Sequence, residues 1–180
     1  MSTKNFQVAV FANGCFWCTE AVFSMLNGVI SVKPGYTGGT SANPTYDQVS
    51  SGTTGHAEAI QIEYDPNIIS YDDLLAVFFN THDPTTLNRQ GNDVGTQYRS
   101  AIFYGNEAEN GKANTLIKEL NDSKAYDKPV VTEVKPLQKF YEAEDYHHNY
   151  YKNNESQPYC QLVIAPKLEK LQKRFARLVK

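Results

Sequence analysis

Cysteine is scarce, with three among 180 residues. So low and odd a count excludes the stapled framework of a small secreted protein. Tryptophan occurs once, at Trp17. No apolar run approaches the roughly 20 residues of a membrane span, and no secretory pattern follows Met1-Ser2-Thr3-Lys4-Asn5. There is no excess of positive charge either: the net charge is -3, which gives no reason to expect nucleic acid. Only the tail, 166–180, is basic, with six Lys/Arg against one Glu, and it reads as a solvated helix face. No Gly-rich phosphate loop follows a strand. The four histidines, His56, His82, His147 and His148, complete no compact zinc motif with Cys15 and Cys18, so neither metal nor cofactor is expected. Repeats, low-complexity tracts and linkers are absent, which makes 1–180 one domain. The expectation is a cytoplasmic monomer, in a reducing compartment where cysteines serve as nucleophiles or redox groups.

Hydrophobic periodicity orders the chain. Strands are expected at Phe6–Ala12, Val29–Lys33, Ala57–Tyr64, Tyr98–Tyr104 and Val130–Lys135. Helices are expected at Phe16–Leu26, from Ser70 to before Asp83-Pro84, at Glu107–Asn121, around Glu142–Tyr151, and at Lys167–Val179, with Leu162-Val163-Ile164 as a packed strand. A long polar loop spans Tyr36–Gly55, and loops of that length are usually functional or disordered. The first four strands and two helices read β-α-β-β-α-β, the ferredoxin-like arrangement: an α/β (α+β) two-layer sandwich with added helices and long loops.

Cys15 is the best nucleophile. It sits at a strand-to-helix turn, where unpaired N–H groups and the helix dipole favour a thiolate. Phe16 and Trp17 supply apolar surface beside it. Cys18 follows at the spacing of a dithiol, and Cys160 is the other thiol. Glu58 is in phase with Ile60 and Ile62, so its carboxyl group is aimed at the core if the strand begins before it, and lies in a solvated turn if the strand begins at Ala59. Burial would keep it protonated near neutral pH. Two polar loops contribute Tyr46, Asp93 and Tyr98. Converging on Cys15, these groups would suit attack by sulfur on an oxygen-bearing centre whose oxygen leaves protonated. His147-His148 read as polar surface, and the tyrosines from Tyr141 to Tyr159 as packing. A thioredoxin-like oxidoreductase also opens a helix with C-x2-C, but has no need of Glu58, Tyr46 and Tyr98.

Gly14-Cys15-Phe16-Trp17, Gly35-Tyr36-Thr37-Gly38-Gly39, Asn43-Pro44-Thr45-Tyr46, Gly55-His56-Ala57-Glu58, the run Gly91 to Ser100, and Ala143-Glu144-Asp145-Tyr146-His147 together resemble the peptide methionine sulfoxide reductase A family, from Val10 to about Cys160. The resemblance implies reduction of the S epimer of methionine sulfoxide, free or in proteins, to methionine. It implies that Cys15 attacks the sulfoxide sulfur, Phe16 and Trp17 hold the methyl group, Glu58 protonates the oxygen, Tyr46 and Tyr98 hydrogen-bond it, and Asp93 lies near the pocket. A sulfenic acid on Cys15 would close to a disulfide that thioredoxin reduces. Where many relatives have glycine after Trp17, this chain has Cys18, and no Gly-rich cysteine segment ends it. Cys18 and Cys160 are therefore both candidates to resolve the sulfenic acid, with Cys18 favoured by the short loop.

Overall fold

The computed structural model describes residues 4–180. Strands β1 (Gln7–Asn13), β2 (Val29–Thr37) and β3 (Ala57–Tyr64) alternate with helices α1 (Phe16–Ser24) and α2 (Tyr46–Ser50). Next come α3 (Tyr71–Asn80), the two-residue strands β4 (Arg89–Gln90) and β5 (Asp93–Val94), β6 (Ser100–Tyr104), α4 (Glu107–Asp122), β7 (Glu133–Pro136) and β8 (Tyr141–Glu142). Helices α5 (Tyr150–Asn153) and α6 (Ala165–Arg174) end the chain. The main sheet has the order β7-β6-β1-β3-β2-β8. Each neighbouring pair among its four central strands is antiparallel, and β7 joins β6 in parallel. The centre is the expected β-α-β-β-α-β sandwich.

Alternation within the strands divides the core. Ala9 and Phe11 of β1, Ile60, Ile62 and Tyr64 of β3, and Ile102 of β6 pack against Val22 and Phe23 of α1 and Leu74, Leu75 and Phe78 of α3. The intervening residues, Val10, Ala12, Ala57, Ala59, Ala101 and Phe103, form a smaller cluster with Leu137 and Phe140. Phe11 lies at the middle of the larger core, 5.7 Å from Phe23 and 5.1 Å from Phe78 between ring centroids. Helix α3 starts as its sequence indicates: Ser70 and Asp73 form a capping box. Among the described residues no helix is long and apolar enough to cross a membrane.

Several boundaries differ from the sequence expectations. Strand β2 runs through Pro34-Gly35 to Thr37, because the Pro34 carbonyl still accepts the N–H of Ala143 at 2.9 Å. The long polar loop contains α2, closed by a Thr45–Gln48 capping box. The fifth strand shrinks to Glu133–Pro136, and the expected helix around 142–151 becomes a 3₁₀ turn, Asp145–His147, followed by α5. Cys160–Ile164 is a π-helical turn and not a strand. Its Ile164 is buried, whereas Leu162 is 76% exposed. The last helix begins at Ala165 and stops at Arg174, and the chain then bridges back from Val179 to Leu26.

Candidate active site

Gly14, at φ +103, makes the turn between β1 and α1, a conformation that side chains with a Cβ rarely adopt. Cys15 then occupies the N-cap of α1, and its carbonyl accepts the N–H of Cys18 at 3.1 Å. The first-turn N–H of Phe16 has no partner within the helix. It donates instead to Oε1 of Glu58 at 3.1 Å. Glu58 lies inside β3, 1% exposed, so the carboxyl group aimed inward is the arrangement adopted. Its Oε2 is buried without a protein partner. Burial pushes its pKa up to about 8 against the pull of the Phe16 N–H, with Asp93 and Cys18 adding to the rise.

The expected thiolate at Cys15 is a correction. Cys15 is only 9% exposed, and burial raises its pKa well above the ordinary value, helped by a hydrogen bond to Cys18 and the charge of Glu58. The backbone N–H of Trp17 lowers it, but burial wins. Cys18 is the thiol that ionises more readily. Its hydrogen bond with Cys15 brings its pKa to about 7 against burial, with Lys167 and the Tyr159 hydroxyl assisting. The two thiols titrate as one coupled pair, whose first proton leaves near neutrality.

Tyr46 and Tyr98 both sense the charges of Glu58 and Cys15. Burial, then those charges, push the Tyr46 phenol up to about 12 and the Tyr98 phenol higher still, so both stay protonated and available to donate. The Tyr46 ring lies 6.4 Å from Phe16 and 6.5 Å from Trp17. Asp93 accepts the Tyr159 hydroxyl at 3.1 Å, and that hydroxyl lies 3.4 Å from Cys18 Sγ. Cys15, Cys18, Asp93, Tyr159, Gln90 and Lys167 line one cavity of about 410 Å³. Cys160 is fully buried in the same cluster as Cys15 and Cys18. Every site residue named from sequence thus falls in one region.

The covering segment was not read correctly from sequence. His147 is fully buried, not polar surface: its Nδ1 accepts the indole N–H of Trp17 at 3.0 Å, and its ring lies 4.4 Å from Tyr46. Since Nδ1 accepts, the neutral ring carries its proton on Nε2. Burial lowers its pKa and favours that neutral form. Tyr150 packs as expected of these tyrosines, stacked on Trp17 at 3.7 Å and 7°. Glu20, one turn after Trp17, is 3% exposed; burial raises its pKa, and the backbone N–H groups of Asn149 and Tyr150 oppose the rise. The sequence signals for this cover were the crowding of Tyr and His between positions 141 and 159 and the family-like segment Ala143 to His147.

A buried acid, two phenols and a thiol pair behind aromatic rings can deliver sulfur to an electrophile and protons to an oxygen. A family model described as peptide methionine sulfoxide reductase matches residues 7–178. The chain is 58% identical to peptide methionine sulfoxide reductase MsrA of Saccharolobus solfataricus, over 97% of each chain. Its structure is similar to that of reduced Mxr1 from Saccharomyces cerevisiae, with a TM-score of 0.81 and 33% identity, covering 88% of this chain and 91% of that one. It is also similar to methionine sulfoxide reductase A of Corynebacterium diphtheriae, with a TM-score of 0.76 and 31% identity over 86% and 77% of the two chains.

Proposed function

The chain belongs to the peptide methionine sulfoxide reductase family, and from that premise we propose that its thiol pair reduces the S epimer of methionine sulfoxide, free or in polypeptides, by way of Cys15. It is an oxidoreductase acting on sulfur. One observation carries the site assignment: Glu58, buried with a pKa of about 8, has one oxygen on the Phe16 N–H beside the thiol and the other without a protein partner. Such a group holds a proton at neutral pH and can transfer it.

In the proposed sequence, Cys15 passes its proton to the Cys18 thiolate and its sulfur attacks the sulfoxide sulfur. Phe16 and Trp17 hold the methyl group. Tyr46 and Tyr98 donate to the oxygen, Glu58 protonates it, and Asp93 borders the pocket. The hydroxyl then migrates from the substrate sulfur to the Cys15 sulfur as the S–S link and the substrate S–O bond break, so methionine leaves reduced by two electrons and Cys15 is left as the sulfenic acid. Cys18 then attacks that sulfur, releasing water and closing a Cys15–Cys18 disulfide. The two-residue gap between the thiols supports Cys18, since a short loop closes at small entropic cost. Cys160 remains the competing resolver: exposed Leu162 loses no burial when the π-helical turn moves, but buried Ile164 does. A dithiol protein of the thioredoxin class restores both thiols and leaves with its own disulfide. We further assign 1–180 to one monomeric domain working in the cytoplasm, where three free thiols persist.

The test is turnover with separated sulfoxide epimers and thioredoxin. Conversion of the S epimer alone, abolished by Cys15→Ser, is the expected result. Reduction of the R epimer, or of insulin disulfides in place of sulfoxides, overturns the assignment.

A further inference from the structure

Glu144 has no place in the chemistry above, yet both of its carboxylate oxygens are engaged. Oε1 accepts the Tyr36 hydroxyl at 2.8 Å, and Oε2 accepts the backbone N–H of Tyr46 at 3.0 Å. Tyr46 is the first residue of α2, a helix of five residues. First-turn N–H groups have no intrahelical partner, and a helix so short has little stability of its own. The Thr45–Gln48 capping box uses the N–H groups of Gln48 and Thr45 and leaves that of Tyr46 over. Glu144 supplies the missing acceptor from a segment 98 residues away. Its other oxygen anchors it to β2 through Tyr36, whose ring lies 5.7 Å from Phe16. Burial opposes ionisation of Glu144, but the N–H groups of Tyr46 and Glu144 itself, with the Tyr36 hydroxyl, hold its pKa below the ordinary value. It is therefore an acceptor on both oxygens, in charge-assisted bonds stronger than neutral ones.

We propose that Glu144 is a positioning residue for sulfoxide reduction: by gripping the Tyr46 backbone it fixes where the Tyr46 hydroxyl meets the sulfoxide oxygen. This rests on the role given to Tyr46 above. The Tyr46 ring is hemmed by Phe16, Trp17 and His147, and its phenol senses the charges of Glu58 and Cys15. Releasing the N–H frees the end of α2 that carries Tyr46. A displacement near 1 Å in such a place costs about 10²-fold in rate.

The test combines single-turnover methionine release with amide exchange. Glu144→Gln cannot accept from Tyr36 and Tyr46 together as a carboxylate does. It should slow release by about 10- to 100-fold, raise the half-saturating sulfoxide concentration by less than about threefold, and speed exchange at the Tyr46 amide. Glu142→Gln, an exposed carboxylate two residues earlier, should leave the rate unchanged. In a Tyr46→Phe background, Glu144→Gln should add less than about twofold, because the two act through one group. Full additivity with a slow Tyr46→Phe overturns the proposal alone. Tyr46→Phe at the wild-type rate overturns the role of Tyr46 and the proposal with it. A Tyr46 amide that exchanges no faster in Glu144→Gln also overturns it. Should the Gln variant fail to fold, Glu144→Asp, a carboxylate one methylene short, carries the same comparison.

Discussion

Glu58→Gln isolates the proton from the hydrogen bond. Glutamine keeps the shape, and its carbonyl still accepts the Phe16 N–H that Oε1 of Glu58 accepts at 3.1 Å. It has no proton to give. At a pKa of about 8, roughly nine Glu58 carboxyls in ten are neutral at pH 7, where the ordinary value of 4.5 would leave about one in 300. Burial thus makes ionising this group harder by about 5 kcal/mol. Proton donation of this kind contributes about 10²–10⁴-fold, so methionine release from the S-sulfoxide in a single turnover without reductant should slow by that factor. Substrate affinity should change by less than about threefold. The ratio of wild-type to variant rates, from which shared thiol ionisation cancels, should fall as pH rises through about 8. Stability follows the same sign: the folded pKa lies above the unfolded one, so the neutral acid's contribution is complete below about 4.5 and is lost as pH rises through about 8. A variant within twofold of wild type, or a rate ratio independent of pH between about 6 and 9, refutes the proton-donor argument.

Cys15→Ser should release no methionine even in one turnover, whereas Cys18→Ser should release one equivalent and then stall as a sulfenic acid, read by mass spectrometry after dimedone trapping. A Cys15–Cys160 bridge in the wild type, with Cys18→Ser fully active under thioredoxin, would transfer the resolving role to Cys160. Phe11→Ala empties a fully buried site between Phe23 and Phe78 and should cost about 3–5 kcal/mol in urea unfolding; a loss below 1 kcal/mol would mean that the core collapses into the space. Gly39→Ala places a Cβ 2.4 Å from the His56 nitrogen and 2.5 Å from the Thr54 oxygen, both backbone. It should displace the loop that carries Tyr46, lower the melting temperature and slow methionine release; a variant matching wild type in both would show that the loop can shift freely.

Short-range pattern settled much of this protein. The two-residue period of β3 put Glu58 in phase with Ile60 and Ile62, and the start of the strand at Ala57, which only the structure decided, aims it inward. The glycine turn and the apolar helix behind it placed Cys15 at the start of α1, and the Ser70 box started α3. Periodicity and capping act within a few residues, so the chain alone expresses them. What the sequence could not decide depended on segments distant along the chain. The sign of the Cys15 pKa turned on how deeply the folded core buries its sulfur, and burial overrode the helix terminus that sequence shows. His147 and Tyr159 became partners of Trp17 and Cys18 across 130 and 141 residues, and Tyr159 reached Asp93 across 66, only when the late segment packed across α1. Leu162-Val163-Ile164 has the composition of a strand, but it joins neither sheet and winds as a π-helical turn into α6. The grip of Glu144 on Tyr36 and Tyr46 spans 108 and 98 residues. Such contacts follow from which surfaces the assembled sheet leaves open, a property of the packed chain that no local window of sequence contains.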